Sequence, residues 1–265
     1  MITAQGFGLE GPRGWVFRGI SFTARAGELV ALEGPSGSGR TSLMLALTGR
    51  MKATEGGAEV GGHPLPRRMA AVRRISALGP VATVAELEPS LTVGEHLRER
   101  GLLLRGFGRR AAARDRAARA LATAGLDPDA LPAGPRTVVR ALERPAALRL
   151  GVALALMSGP AVLGVDDADL GLGPADRADV WAMLRDVAAS GPTVLAVCAE
   201  APAKADLTVR MTAPETEKPE AVEPEAQEPA PEEPVPGRAP EPAEDPAPAT
   251  AQEGAADAHA EARRV

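Results

Sequence analysis

The chain has 265 residues, 30 of them Lys or Arg and 35 Asp or Glu, for a formal net charge of −5. That length is enough for a sizeable core. The single cysteine, Cys198, excludes an internal disulfide and a cysteine metal cluster. The charge is uneven: residues 212–265 carry 14 acidic and four basic side chains, net −10, which leaves residues 1–211 at +5. The tail is Pro, Glu and Ala with almost nothing large and apolar. It cannot bury enough surface to offset its ordering entropy and is predicted to be disordered. Residues 1–211 suit one domain. The N-terminus shows no charged-then-apolar leader pattern, and the longest apolar run, near residues 150–157, is far too short to span a bilayer. The expectation is a soluble chain in a reducing compartment, or a peripheral one held by a partner.

In chain order, residues 1–9 are a weakly patterned strand candidate. Residues 14–17 are apolar, and residues 20–24 alternate at period two as a half-buried strand does. Trp15 and Phe17 are two of very few aromatics. Either offers a face on which an adenine ring stacks, and ordinary packing is the competing reading. A turn at 26–28 leads into the apolar run 29–32, the glycine-rich stretch 34–42 and a helix over 41–47. Residues 49–62 are rich in glycine with one strand candidate, 58–60, and residues 72–78 read as a further strand. Residues 79–90 read as a loop.

Thr92-Val93-Gly94-Glu95 is a capping box that starts a helix. Gly101 interrupts its apolar positions Leu97, Leu102, Leu103 and Leu104. A second helix over 109–124 carries Arg109, Arg110, Arg114, Arg116 and Arg119. These invite a nucleic-acid reading, but no aromatic interleaving accompanies them, and a solvated helix face is the plainer one. Only Lys52, Lys204 and Lys218 are lysines, so arginine is this chain's default cation. A proline-broken loop at 127–135 precedes a helix that opens at Pro145 or Ala146 and runs to about 157. The continuous apolar run 161–165 reads as a buried strand, with Asp166 and Asp167 at its end. A helix over 175–188 and strands at 193–197 and 207–209 complete the body. This alternation predicts an α/β domain with parallel strands.

Strand, glycine loop and helix are the context of a phosphate-binding P-loop. Gly34, Pro35, Ser36, Gly37, Ser38, Gly39, Arg40, Thr41 and Ser42 follow G-x-x-x-x-G-K-[ST] at every position but Arg40, which stands where lysine is expected. Gly34, Gly37 and Gly39 tolerate positive φ, which lets backbone N–H groups surround an anion, and the helix start adds free N–H groups and the positive end of its dipole. Pro35 has no N–H to give. Thr41 or Ser42 offers a hydroxyl to Mg²⁺, and carboxylates at Asp166 and Asp167 are placed to hold the ion directly or through water. A glycine-rich turn and an Asp-rich turn without ligands are the competing readings.

With these motifs in order, residues 1–211 resemble the nucleotide-binding domain of ATP-binding cassette (ABC) transporters, in a divergent actinobacterial-type variant with degenerate motifs. The resemblance rests on the turn at 26–28, residues 34–42, Leu91 to Glu95, the helix before Asp166 and the strand at 193–197. It implies a P-loop NTPase core with a parallel sheet, a small N-terminal antiparallel region and a helical subdomain at about 92–157. It also implies Mg-ATP as ligand, Asp166 and Thr41 at the metal and Asp167 at the catalytic carboxylate position; Trp15 is the candidate taken for contact with the base, and which aromatic stacks there stays open. The implied partners are a membrane permease and a second ABC domain in a homodimer or heterodimer, at the inner face of the cell membrane, with no nucleic acid.

Several family positions differ. The region of Gly79-Pro80-Val81 has no glutamine. The Leu-Ser-Gly-Gly-Gln signature is matched by Leu142-Glu143-Arg144-Pro145-Ala146, which puts a carboxylate where phosphate is expected. Asp167 is one methylene shorter than the usual glutamate, which slows a base that must reach its water. Cys198 or Ala199 stands where a histidine is expected. Three readings stay open: an ATP-binding subunit with weak hydrolysis, a degenerate domain acting as a structural or regulatory partner, and another P-loop protein associated with nucleic acid.

Overall fold

A computed structural model describes residues 1–82, 84–104 and 110–212. The tail assigned as disordered lies outside these residues except for Thr212, as does Arg109. The chain begins with a hairpin, β1 (Ile2–Gly11) and β2 (Gly14–Ala24), so the two short pieces expected at 14–17 and 20–24 are one strand. β3 (Leu29–Glu33) leads through the glycine loop into α1 (Arg40–Leu47). Then come β4 (Glu55–Val60), β5 (His63–Leu65), α2 (Met69–Ile75), β6 (Ser76–Leu78), α3 (Val93–Leu103) and α4 (Arg110–Thr123). The proline-broken loop carries short 3-10 turns at Pro128–Ala130 and Gly134–Arg136, and a third follows at Val139–Ala141. α5 (Arg144–Leu156), β7 (Val162–Val165), α6 (Pro174–Ala189), β8 (Thr193–Cys198) and β9 (Leu207–Arg210) complete the described chain.

Two sheets result. An antiparallel sheet runs β2-β1-β4-β5, and a parallel one runs β6-β7-β8-β3-β9. The parallel strands read as continuous apolar runs because both of their faces are covered. Leu29, Ala31, Leu163, Val165, Val194 and Ala196 face a core shared with α4, α5 and α6. Val30, Leu32, Val162, Leu195 and Val197 face a second core shared with α1 and the antiparallel sheet. Leu195, fully buried on the central strand β8, is where truncation leaves a void with little means of collapse. Leu195→Ala is expected to cost about 2–5 kcal/mol, read as a lower urea midpoint.

One expectation is corrected. Residues 72–78 are not a single strand: α2 occupies Met69–Ile75 and only Ser76–Leu78 is extended. Val72 and Ile75 are three residues apart, a helical spacing. Arg73 and Arg74 occupy the last turn, where cations suit the helix dipole, and Arg73 Nη1 donates to the Gly49 carbonyl at 2.7 Å. α3 has the expected capping box, with Glu95 N–H donating to Thr92 Oγ1 at 3.2 Å and Thr92 N–H to Glu95 Oε2 at 2.8 Å. It runs through Gly101, which is buried against α4. On α4, Arg114, Arg116 and Arg119 are exposed, while Ala120 and Leu121 pack into the core.

Candidate functional site

Parallel strands end together, so the loops after β3, β7 and β8 share one edge of the sheet. Within the glycine loop, Gly37 and Gly39 take left-handed φ of 82° and 81°. Gly34 does not, and its glycine is required for space instead: a Cβ there would lie 2.3 Å from the Met211 carbonyl oxygen and 2.8 Å from Ser38 Oγ. Gly39 is constrained both ways, because its Cβ would lie 2.2 Å from the Val16 carbonyl oxygen. The Pro35 carbonyl accepts the Ser38 N–H at 3.2 Å. Pro35, Ser36 and Gly37 are exposed, whereas Ser38 is fully buried and its Oγ has no hydrogen-bond partner. α1 starts with Gly39 as its N-cap, without a side-chain cap, and Ser42 sits half-buried in its first turn.

Thr41 Oγ1, one residue into α1, donates to Asp166 Oδ1 at 3.0 Å across 125 residues of sequence. The same Oδ1 accepts the Asp167 N–H at 3.1 Å. Asp166 is 7% exposed. Burial pushes its carboxyl above the usual carboxylate range; the Thr41 hydrogen bond opposes that shift and the neighbouring Asp167 charge adds to it. Asp167 has φ 46° and is the only non-glycine residue with positive φ among those described. Such a backbone persists only where its surroundings hold it. Here Arg144 Nη2 donates to the Asp167 carbonyl at 3.1 Å and Arg144 Nε to the Leu170 carbonyl.

Arg40 does not extend along the loop in this structure. Its Nη1 donates to the carbonyl of Cys198 at the end of β8. Cys198 is buried, and its thiol is pushed up to about 12 by that burial and by the nearby Asp169 and Glu33 carboxylates. It is therefore no nucleophile near neutral pH. Ala199 is exposed and gives its N–H to Asp169. Trp15 lies on β2 with the Arg18 guanidinium carbon 4.3 Å from its ring centroid, and Phe17 is buried against Phe7. Val16, between them, is the residue whose carbonyl crowds Gly39, so Trp15 is one residue from the loop's wall.

The degenerate family positions lie as follows. Gly79 N–H donates to the Gly164 carbonyl at 2.8 Å, and the Pro80 ring occupies the space a side chain at Gly151 would need. Glu143 is the exposed N-cap of α5 and makes no side-chain cap.

Three residues that order this site have no role assigned to them by the sequence. Asp169 is 6% exposed and accepts backbone N–H groups after β8. Glu33 accepts the Ala201 N–H at 3.0 Å and the Arg210 Nε at 3.0 Å, which hold its carboxyl below the usual range. Arg144 is the third. Asp166-Asp167-Ala168-Asp169 was visible as a carboxylate cluster, but nothing in the sequence says which of its members turns inward.

The residues fit a polyphosphate and a divalent cation. Two glycines line the loop where a Cβ would collide, the start of α1 has no side-chain cap, and Ser38 Oγ is an orphaned polar atom. Thr41 and Asp166 bring a hydroxyl and a carboxylate together, and a cation would stabilise a carboxylate that burial and a like charge oppose.

Comparisons with known proteins identify the family and the fold. Residues 17–169 match the family described as ABC transporter. The chain is 35% identical over 180 residues to Nod factor export ATP-binding protein I of Burkholderia lata, covering 68% of this chain and 56% of that protein. It is 34% identical over 178 residues to the daunorubicin resistance ATP-binding protein DrrA3 of Streptomyces coeruleorubidus, covering 67% and 53%. The chain thus spans about half the length of the curated relatives it matches. In fold it is similar to a dimeric bacterial ABC transporter cassette, with TM-score 0.65 and 21% identity, covering 80% of this chain and 95% of that one. It is also similar to cbiO1 of Clostridium perfringens, with TM-score 0.66 and 18% identity, covering 79% and 84%.

Proposed function

The chain belongs to the ABC transporter family, and from that premise we propose that it is the ATP-binding subunit of a transporter, binding Mg-ATP through residues 34–42 and hydrolysing it weakly. The observation that carries this reading is the 3.0 Å bond from Thr41 to Asp166, which joins the phosphate loop to the end of β7. In this reading residues 1–211 are one nucleotide-binding domain with a helical part at about 92–157. Backbone N–H groups of the loop and of the start of α1 hold the phosphates. Thr41 and Asp166 would hold Mg²⁺, which would supply charge neutralisation for the phosphates. Trp15 would offer a ring face to the base. Asp167 orients the attacking water and takes up its proton. Arg144 keeps the Asp167 backbone in place.

Partners follow from the family. A permease and a second cassette dock with this subunit at the membrane; among the described residues no helix is long and apolar enough to cross one. The export and resistance named for the relatives support outward transport as the direction.

A second reading, a domain that binds nucleotide without turnover, is favoured by Arg40 on the Cys198 carbonyl and by alanine at 199. Phosphate release separates the two. Asp167→Glu restores the missing methylene and is expected to raise Mg-dependent release by about 10-fold or more, part of the roughly 10²–10⁴-fold that a positioned base contributes. No release above background from either form, alone or with the permease, contradicts weak hydrolysis and leaves the binding domain.

A further inference from the structure

The last residue of β8 and the three that follow it are each tied to a side chain of the phosphate site. Arg40 Nη1 donates to the Cys198 carbonyl. The Ala199 N–H donates to Asp169 Oδ1 and Oδ2 at 3.2 and 3.0 Å, and the Glu200 N–H to Oδ2 at 3.1 Å. The Ala201 N–H donates to Glu33 Oε1 at 3.0 Å. Glu33 ends β3, Arg40 starts α1 and Asp169 lies in the loop after β7, so three parts of the site converge on this segment.

The ties are not equivalent. Asp169 and Glu33 are charged acceptors for backbone N–H groups, bonds about twice as strong as neutral ones. Arg40 is the one cation in residues 34–42, and its partner is a neutral carbonyl. A phosphate oxygen is a better acceptor for the same guanidinium. The guanidinium is also a planar fork whose donors are fixed relative to one another. Two parallel bonds to one phosphate require that fork to leave the Cys198 carbonyl. A lysine at this position has neither the fork nor the same reach.

We infer that Arg40 is a nucleotide-responsive latch that exchanges the Cys198 carbonyl for the polyphosphate of a nucleoside triphosphate, so that ligand entry releases one of the ties on residues 198–201. The inference rests on the reading of residues 34–42 as a nucleotide cradle. It gives a role to the substitution of lysine by arginine in a chain whose residue 199 has no side chain able to contact phosphate. The released segment remains attached through Asp169 and Glu33, so the change is a loosening at Cys198 rather than loss of the strand end.

Cys198 is the only cysteine, so ¹³C-carbonyl cysteine labelling of the full chain gives one protein carbonyl resonance that reads this hydrogen bond directly. ATP is titrated while a fluorescent ATP analogue, displaced in parallel, reports occupancy. The resonance is expected to move upfield as ATP saturates, toward its position in Arg40→Ala, and ATP is expected to leave the Arg40→Ala resonance in place. Arg40→Gln keeps the polar, unbranched stem but lacks the guanidinium and its charge; it is expected to behave as Arg40→Ala does and serves if the alanine variant unfolds. A wild-type resonance that stays put at saturating ATP overturns the latch, as does an equal ATP-induced shift in wild type and Arg40→Ala. Failure of the analogue to bind overturns the nucleotide reading itself and is recognised by its own signal.

Discussion

Asp166→Asn is expected to make the protein more stable without ligand and worse at binding Mg-ATP. The carboxylate is nearly fully buried, and its pKa is raised chiefly by that burial. A group whose folded pKa lies above its unfolded value adds stability below the unfolded pKa and loses it as pH rises through the folded one. Burial therefore makes the ionised form of Asp166 the one that opposes folding. Asparagine keeps an oxygen to accept the Thr41 hydroxyl and the Asp167 N–H while removing the charge, so the melting temperature at pH 7 rises by a few degrees. The gain shrinks toward acid, where wild-type Asp166 is protonated. In the opposite direction, the variant loses the charged oxygen proposed for Mg²⁺. Removing a residue that only supports a metal ligand costs about 10–100-fold in affinity, so loss of the ligand itself is expected to reach at least about 100-fold in the Mg²⁺-dependent part of ATP affinity. Thermal unfolding from pH 4 to 8 and ATP titrations with and without Mg²⁺ check both halves. A variant less stable than wild type at pH 7, with unchanged Mg²⁺ dependence, contradicts the account of this residue.

Gly39→Ala is expected to damage fold and site together. An L-residue at φ 81° pays about 1–2 kcal/mol. The added Cβ would also lie 2.2 Å from the Val16 carbonyl oxygen, which is backbone of β2 and cannot swing aside as a side chain end does. Displacing packed structure to admit a methyl group costs about 1–3 kcal/mol more. The variant stays folded if the domain has the usual 5–15 kcal/mol, roughly, in hand, but its urea midpoint drops clearly. The strand that has to move carries Trp15, and the loop that has to move carries the N–H groups aimed at phosphate. Nucleotide affinity is therefore expected to fall at least tenfold, about 1.4 kcal/mol, read with a fluorescent ATP analogue. Gly37→Ala is the informative contrast, because nothing lies within 4 Å of its added Cβ and only the backbone strain remains.

Much of this architecture is legible in the sequence where the signal is local. The apolar run into residues 34–42, the capping box at Thr92 and the continuous strand ending at Asp166 each state a structure within a few residues, and each forms. Residues 72–78 misled because Val72, Ile75, Ala77 and Leu78 satisfy both a strand and a helix followed by a strand. The reason for Gly34 was also not local: the residue it must make room for, Met211, lies at the far end of the domain. The same holds for the ordering of the site. Glu33 meets Ala201 across 168 residues, and Arg40 meets Cys198 across 158. Arg144 sits at a family position where glycine is expected, so its substitution was visible in the sequence, but its grip on the carbonyls of Asp167 and Leu170 was not. Residue types and spacing identify the phosphate loop; they do not say which charged side chains are turned inward to hold its surroundings.

The most direct test of the central claim, that residues 34–42 with Thr41 and Asp166 form a Mg-ATP site, is a calorimetric titration of the full chain with ATP, in Mg²⁺ and in chelator. The account predicts saturable binding to one site per chain, tighter with Mg²⁺, weakened in Gly39→Ala and stripped of its Mg²⁺ dependence in Asp166→Asn. Heats no larger than dilution at millimolar ATP, or binding that neither Mg²⁺ nor these two substitutions change, would contradict it.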